Sequence, residues 1–285
     1  MLRRGRGVPG GMVYASAPIT DLPGEPLTTS TARIIRDHRM ARRPLPRLED
    51  GVRPLDEAQA YTMQGELHRL LAPDLGAVVG HKIGCTTPVM QKFLNIPNPC
   101  AGGVFAKTVY SSPARLRHAD YLHVGVECEM VVRLGGDLPA SAAPFTRASV
   151  SDAVDAMMAG MEIVDDRYVD YKSMDTPTLI ADDFFDAGCV LGAAVTNWRA
   201  LDLTALAGVT LIDGVEVGRG RGADVMGHPF EALAWLADNL ARRGQHLRAG
   251  EFVFTGSVVE TKWVRAGERV TMRIEGLGEV EAVFE

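Results

Sequence analysis

The stretch HVGVECEMVVRLG, residues 123–135, alternates in character and then becomes continuously apolar. That is the pattern of a strand about eight residues long with one face against a core. Successive strand side chains point to opposite faces, so Glu127 and Glu129 share one side while Val126, Cys128 and Met130 share the other. Two carboxylates on one patch repel each other unless a cation or solvent screens them, and hard divalent cations prefer such oxygen ligands. On spacing alone, a solvated edge-strand face explains the pair equally well.

Working outward, MEIVDD (161–166) reads as a second apolar strand and places Glu162 beside the first pair as a third candidate ligand. Three strand carboxylates suit one octahedral ion that keeps waters, and those positions could take a substrate's carboxylate and neighbouring keto oxygen. Asp165 and Asp166 are expected to support the ligands or to pair with Arg167. Ser149 to Asp152 resembles a helix cap, and Ala153, Ala156, Met157 and Gly160 then predict a helix leading into that strand. Upstream, PLDEAQAYTMQGELHRLLAP (54–73) has helical spacing, and GAVVGHKIGCT (76–86) reads as a strand around Lys82, followed by an exposed loop through Pro97 and Pro99. Lys82, between Gly80 and Gly84, could hold an anion, though a surface lysine is the simpler reading; His81 could serve as a base.

HPFEALAWLADNLARRG (228–244) predicts the clearest helix, with proline near its start and Gly244 as its stop. EFVFTGSV (251–258) and RVTMRIEGLGEVEAVFE (269–285) read as strands. Strands outnumber helices in the second half without regular alternation, which predicts an α+β fold with a mixed or antiparallel sheet. GRGRGADVMGHP (218–229) has glycine spacing but lacks the strand-to-helix context of a dinucleotide fingerprint, and no G-x-S-x-G elbow appears.

The 285 residues carry a formal charge of -6, with 46% hydrophobic and 23% charged residues, as in an ordinary globular protein. This balance argues against nucleic acid or a membrane surface as partner, and no apolar run approaches the roughly 20 residues of a spanning helix. The four cysteines form no C-x-x-C pair, so a reducing cytoplasm is the expected setting. The Arg-rich start lacks the apolar segment of a secretory signal. A flexible arm is expected over 1–46, a helical lobe over 47–110 and a β-rich catalytic domain over 111–285.

In order along the chain, DEAQAYTMQ, GHKIG, VECEMVV, GMEIVDDRYVDYK, IADDFF, LGAAV, GHPFEALAWLADNL, GEFVFTGS and IEGLGEVEAVF resemble a known family. It is the 2-keto-4-pentenoate hydratase and 4-oxalocrotonate decarboxylase family of the fumarylacetoacetate hydrolase superfamily, and the resemblance covers about Leu55 to Glu285. It implies a mixed β-roll with flanking helices and a small N-terminal lobe, assembled as a homo-oligomer. It also implies magnesium or manganese on Glu127, Glu129 and Glu162, a site role for Lys82, and catalytic pocket positions at Lys172 and Asp182. His81 stands where the family motif has an aromatic residue. IADDFFDAG replaces the family's usual ADN followed by small residues and serine, so Phe184 and Phe185 are expected to make the pocket bulkier or more apolar. The implied reaction on a small 2-oxo acid is hydration of a 2-hydroxy-2,4-dienoate through its 2-oxo-3-enoate form. Alternatives are decarboxylation of a vinylogous 2-oxo diacid, then acylpyruvate hydrolysis, then a non-catalytic partner subunit.

Overall fold

A computed structural model describes residues 26–285. Seven strands form one sheet: β1 (Val78–Gly84), β2 (Cys100–Phe105), β3 (Val109–Ser111), β5 (Val124–Leu134), β6 (Val154–Asp165), β7 (Asp186–Leu191) and β10 (Phe252–Trp263), in the order β2-β1-β10-β5-β6-β7-β3. The other five strands, β4 (Ala114–Leu116), β8 (Ala207–Ile212), β9 (Val215–Arg221), β11 (Arg269–Ile274) and β12 (Gly278–Phe284), pair in the order β4-β12-β11-β8-β9. The pairs β1–β10, β3–β7 and β4–β12 are parallel and the rest antiparallel. Six helices flank the sheets: α1 (Leu27–Met40), α2 (Glu57–Leu75), α3 (Pro88–Phe93), α4 (Arg147–Ala153), α5 (Thr176–Ala181) and α6 (Pro229–Ala241). The mixed α+β architecture agrees with the expected fumarylacetoacetate hydrolase-like roll. Among the described residues no helix is long and apolar enough to cross a membrane.

The two faces of β5 organise the interior. Val126, Cys128, Met130 and Val132 are buried in the main core, as the alternation predicts. On the opposite face Val131 joins Val104, Met158, Cys189, Phe252 and Phe254 in a second apolar cluster beside the two glutamates. Gly160 of β6 lies opposite Glu129, and a Cβ there would come within 2.3 Å of Val131 and 2.7 Å of Phe254. Only glycine lets the aromatic floor approach the sheet so closely.

Three expectations are corrected by the structure. Residues 154–160 are strand rather than helix: α4 stops at Ala153, and β6 pairs with both β5 and β7. Both faces of β6 are buried, so its Ala, Met and Gly residues show no alternation, and pairing on both sides overrides their helical spacing. The boundary expected at 110 falls within β3, in a sheet that joins β1 and β2 before it to β5, β6, β7 and β10 after it. The arm expected over 1–46 lies partly outside the described residues, at 1–25, and its remainder contains α1, whose Ala32 and Ile35 are buried in the core.

That helix reaches the most strained backbone near the site. After α5, Asp183, Phe184 and Phe185 adopt positive φ of 56°, 49° and 68° in succession. Left-handed conformation costs a non-glycine residue about 1–2 kcal/mol, so three together need external support. Arg39 of α1 supplies part of it, 3.2 Å from Asp183 Oδ2 and donating to the Asp186 carbonyl at 3.0 Å. His68 of α2 lies 2.6 Å from Asp183 Oδ1, and the Gly103 amide donates to the same oxygen at 2.9 Å. Arg167 donates to the carbonyls of Asp182 and Asp186 at 3.0 and 2.7 Å, and Tyr168 donates its hydroxyl to Asp182 Oδ2 at 3.0 Å. Burial opposes ionisation of Asp183, but His68 and Arg39 hold its carboxyl down at about 2. Burial instead pushes Asp186 up to about 6, despite Arg39.

Arg39→Met would strip the cation from three buried carboxylates, and breaking such a cluster costs about 3–5 kcal/mol. Urea unfolding should show a loss of that order; a loss below about 1 kcal/mol would mean that the turn stands without α1.

Candidate active site

Cross-strand register brings the three glutamates together. Glu127 on β5 sits directly opposite Glu162 on β6, and Glu129 is two residues along the same face of β5. One carboxylate oxygen from each lies within 4.8 Å of the others. Glu129 and Glu162 are fully buried, while Glu127 is half-buried and opens into a cavity. Thr261 of β10 donates its hydroxyl to Glu127 Oε1. Gly256, at φ 121°, donates its amide to Glu129 Oε2 at 2.7 Å. A Cβ at Gly256 would lie 2.5 Å from Thr86, so that backbone shape is reserved for glycine.

Lys82 of β1 is buried at the same point. Its Nζ is 2.8 Å from Glu162 Oε1 and donates to the Phe184 carbonyl at 2.8 Å, so the strained turn grips the ammonium directly. Burial by itself would lower the lysine pKa, but Glu162, Glu127 and Glu129 raise it above its ordinary value, and the side chain is a cation at neutral pH. Burial raises Glu129 well above the carboxylate range, reinforced by Glu162 and Glu127. Burial likewise pushes Glu162 up to about 8, with Lys82 opposing the shift.

Glu129 Oε1 and Glu162 Oε2 have no hydrogen-bond partner in the protein. A buried carboxylate oxygen left unpaired is costly, and an oxygen-only donor set with two such atoms fits a hard divalent cation. Sulfur and imidazole ligands that would favour zinc or copper are absent from this cluster.

The cavity in front of Glu127 has a volume of about 520 Å³ and also takes Lys82, Phe184 and Phe185 into its wall. Those four line the cavity together, and Glu129 and Glu162 lie beside Glu127. Three other candidates lie elsewhere. His81 neighbours Lys82 on β1 and so projects to the opposite face, with Nε2 3.8 Å from Glu251. Lys172 is exposed, its ammonium 5.9 Å from the centre of the Tyr171 ring, while Tyr171 itself turns into the cavity. Asp182 is buried behind the turn against Arg167 and Tyr168, and holds the turn from outside the cavity. Arg167 therefore pairs with Asp182, and Asp165 instead accepts the amides of Leu122 and His123 at the entry to β5.

Sequence reasoning missed Thr261, Gly256, Tyr171 and the α3 side chains Val89, Met90 and Phe93. The Pro-rich segment after Gly84 was read as an exposed loop, and Thr87-Pro88 was the signal available for α3: a Thr cap followed by proline at the first helical position.

Residues 101–285 match the family described as fumarylacetoacetate (FAA) hydrolase C-terminal. The chain is 35% identical over 257 residues to a 2-keto-4-pentenoate hydratase of Paraburkholderia phymatum, covering 90% of this chain and 96% of the relative. It is 31% identical over 229 residues to a 4-oxalocrotonate decarboxylase of Pseudomonas putida, covering 80% and 85%. The solved 4-oxalocrotonate decarboxylase from Pseudomonas putida G7, complexed with magnesium and adipate, superposes with a TM-score of 0.81 at 25% identity, over 90% of this chain and 97% of that one. These likenesses run through the helices before residue 101 as well as the sheets after it, and the chain belongs to the fumarylacetoacetate hydrolase family, in the group of 2-keto-4-pentenoate hydratases and 4-oxalocrotonate decarboxylases.

Proposed function

We propose that this chain is a metal-dependent hydratase that adds water to a 2-hydroxy-2,4-dienoate and forms a 4-hydroxy-2-oxo acid. In this reading Glu127, Glu129 and Glu162 hold magnesium or manganese, and the working enzyme is a homo-oligomer. The observation that carries it is the carboxylate trio with two unpartnered buried oxygens, opening through Glu127 into a cavity beside a lysine cation. The hydratase of Paraburkholderia phymatum, similar over nine-tenths of this chain, supports hydration as the reaction.

A divalent cation in the trio would supply Lewis acidity toward the C1 carboxylate and C2 oxygen of a 2-oxo acid. The chain's own residues do the rest. Lys82 keeps its proton at Nζ, fixed between Glu162 and the Phe184 carbonyl, so it serves as a cation and hydrogen-bond donor rather than as a base. Its position in the cavity wall suits it to hold the anionic head of the substrate. The Phe184 ring, 5.1 Å from the Lys82 ammonium, shields that head from solvent, which strengthens the charge interactions around it. Ketonisation moves the 2-hydroxyl proton to C5 and leaves a C3–C4 double bond; the oxygen of one water then bonds to C4 and a proton to C3. No redox partner is needed.

Turnover should be measured over a panel of 2-hydroxydienoates, oxalocrotonates, acylpyruvates and oxaloacetate, with magnesium or manganese and with a chelator. Consumption of water by the dienoate, abolished by the chelator, is the expected result; release of carbon dioxide from the diacid as the dominant reaction would replace hydratase with decarboxylase. Glu127→Gln should lower metal affinity and turnover by at least about 100-fold while the protein stays folded, since removing one of three repelling carboxylates relieves strain. Full activity in that variant would overturn the ligand assignment.

Lys82→Met should abolish turnover and destabilise the metal-free protein by about 3–5 kcal/mol, because Glu162 loses its counter-charge. Saturating magnesium should recover part of that loss; equal losses with and without the ion would separate Lys82 from the trio.

Proton and metal compete for the raised carboxyl groups, which bind the ion only when ionised. Metal affinity, followed by calorimetry, should therefore weaken as pH falls through about 8, where Glu162 gains its proton, with the raised Glu129 carboxyl adding to the loss. An affinity that is flat from pH 6 to 9 would contradict the burial of these ligands.

A further inference from the structure

Beyond the head of the substrate, the cavity also carries information about the tail. Four aromatic rings in its wall form a series leading away from Lys82, whose ammonium is 5.1 Å from the Phe184 ring: Phe184 to Phe185 at 5.6 Å between ring centres, Phe185 to Tyr171 at 5.9 Å, and Tyr171 to Phe93 at 6.5 Å. On α3, Val89 and Met90 extend this wall, and Val89, Met90 and Phe93 are 76%, 42% and 52% exposed. Helix α3 has no buried residue at all, so its apolar side chains have little to cover except the cavity.

Charge follows the same division. Among the described residues Lys82 is the one cation in the cavity wall, and it is already committed to Glu162 and the Phe184 carbonyl. The other charged residues in the wall, Glu127, Asp224 and Glu260, are acidic. Lys262 lies next to Glu260 but pairs with it at 2.6 Å, and Lys172 lies outside the wall. A second carboxylate at the far end of a substrate would lose its water against aromatic rings, face like charge, and find no free counter-ion.

Volume points in the same direction. A dienoate with five carbons has eight non-hydrogen atoms; even at the roughly 30 Å³ of a liquid water molecule each, they fill about 240 Å³. That is under half of the 520 Å³ present.

We infer that the site selects 2-hydroxydienoates whose far end carries an uncharged hydrocarbon group, an aryl ring or an alkyl chain, and discriminates against those ending in a second carboxylate. The inference rests on the hydratase reading for the reaction and on the aromatic wall for the tail. Phe93, Tyr171 and Phe185 are its specificity-determining residues.

The test has a turnover arm and a binding arm. With manganese-loaded protein, hydration of 2-hydroxypenta-2,4-dienoate, 2-hydroxy-6-phenylhexa-2,4-dienoate and 2-hydroxyhexa-2,4-dienedioate is compared by kcat/KM. The phenyl compound should exceed the unsubstituted one by about tenfold or more and the diacid by about 100-fold or more, in line with what apolar pockets and unpaired charges are worth. Calorimetry then compares two unreactive acids, 2-oxo-6-phenylhexanoate and 2-oxoadipate, and the phenyl acid should bind at least tenfold more tightly. Phe93→Arg, at an exposed position that should tolerate the change, is expected to narrow the phenyl-to-diacid ratio at least tenfold in both arms.

A diacid that binds or reacts as well as the phenyl compound overturns the inference and leaves the hydratase reading standing. Tight binding of the phenyl acid with no hydration of any dienoate overturns the hydratase reading while the tail preference stands. An unchanged ratio in Phe93→Arg overturns the placement of the tail against α3.

Discussion

The contact between Lys82 and Glu162 is the point on which the site depends. Fully ionised, three carboxylates against one ammonium would leave two negative charges inside a sheet face otherwise built from Val131, Met158, Phe252 and Phe254. Such a cluster does not persist uncompensated in an apolar interior, because each buried ion costs several kcal/mol after relaxation. A divalent cation balances the remainder. The lysine sets that number: without it the trio would carry three charges, and with a second cation nearby the demand for a metal would fall. The same pairing would restrict where such an ion sits, since Glu162 offers one oxygen to Lys82 and leaves the other without a partner.

Holding an ammonium there requires a carbonyl in an unusual place, and the left-handed run 183–185 provides it. Strained backbone persists only when its surroundings over-determine it. Here the surroundings come from distant parts of the chain: Arg39 on α1, His68 on α2, Gly103 on β2 and Arg167 just after β6. The helices before the first strand thus reach the site through Asp183 and Phe184, without contact with the carboxylates. Phe184 serves twice, with its carbonyl on Lys82 and its ring in the cavity wall. Lysine position and pocket shape are therefore set by one turn.

Much of this was legible in the sequence where one face of an element is polar and the other apolar. Glu127 and Glu129 could be placed on a common face from alternation alone, and the helix at 228–244 from its stripe and its end signals. Legibility failed where both faces are buried. Residues 154–160 show no period of two because β6 is covered on both sides, and their small residues imitate a helix-packing stripe. It failed again for charges. Asp183, Asp186, Arg39 and His68 read as ordinary surface types, and only folding reveals that they join Asp182 and Arg167 in neutralising one another around a single turn. Lys172 illustrates the converse: its motif suggested the site, but on the short turn at 171–173 the inward direction belongs to Tyr171.

The division between head and tail explains why related proteins can carry different reactions on one fold. Hydration and decarboxylation both draw on the same electron sink at the 2-oxo acid head, so the carboxylates and Lys82 need not differ between them. What must differ is the treatment of the far end of the substrate. A decarboxylase has to admit a second carboxylate, whereas a hydratase can surround that end with hydrocarbon. In this chain two phenylalanines, Phe184 and Phe185, stand on the turn that also grips Lys82. A change in the rings there need not disturb the carbonyl, because the backbone is held by Arg39, Arg167 and His68 from behind. The clamp thereby frees the two side chains to set the character of the tail pocket while the chemistry at the head stays in place.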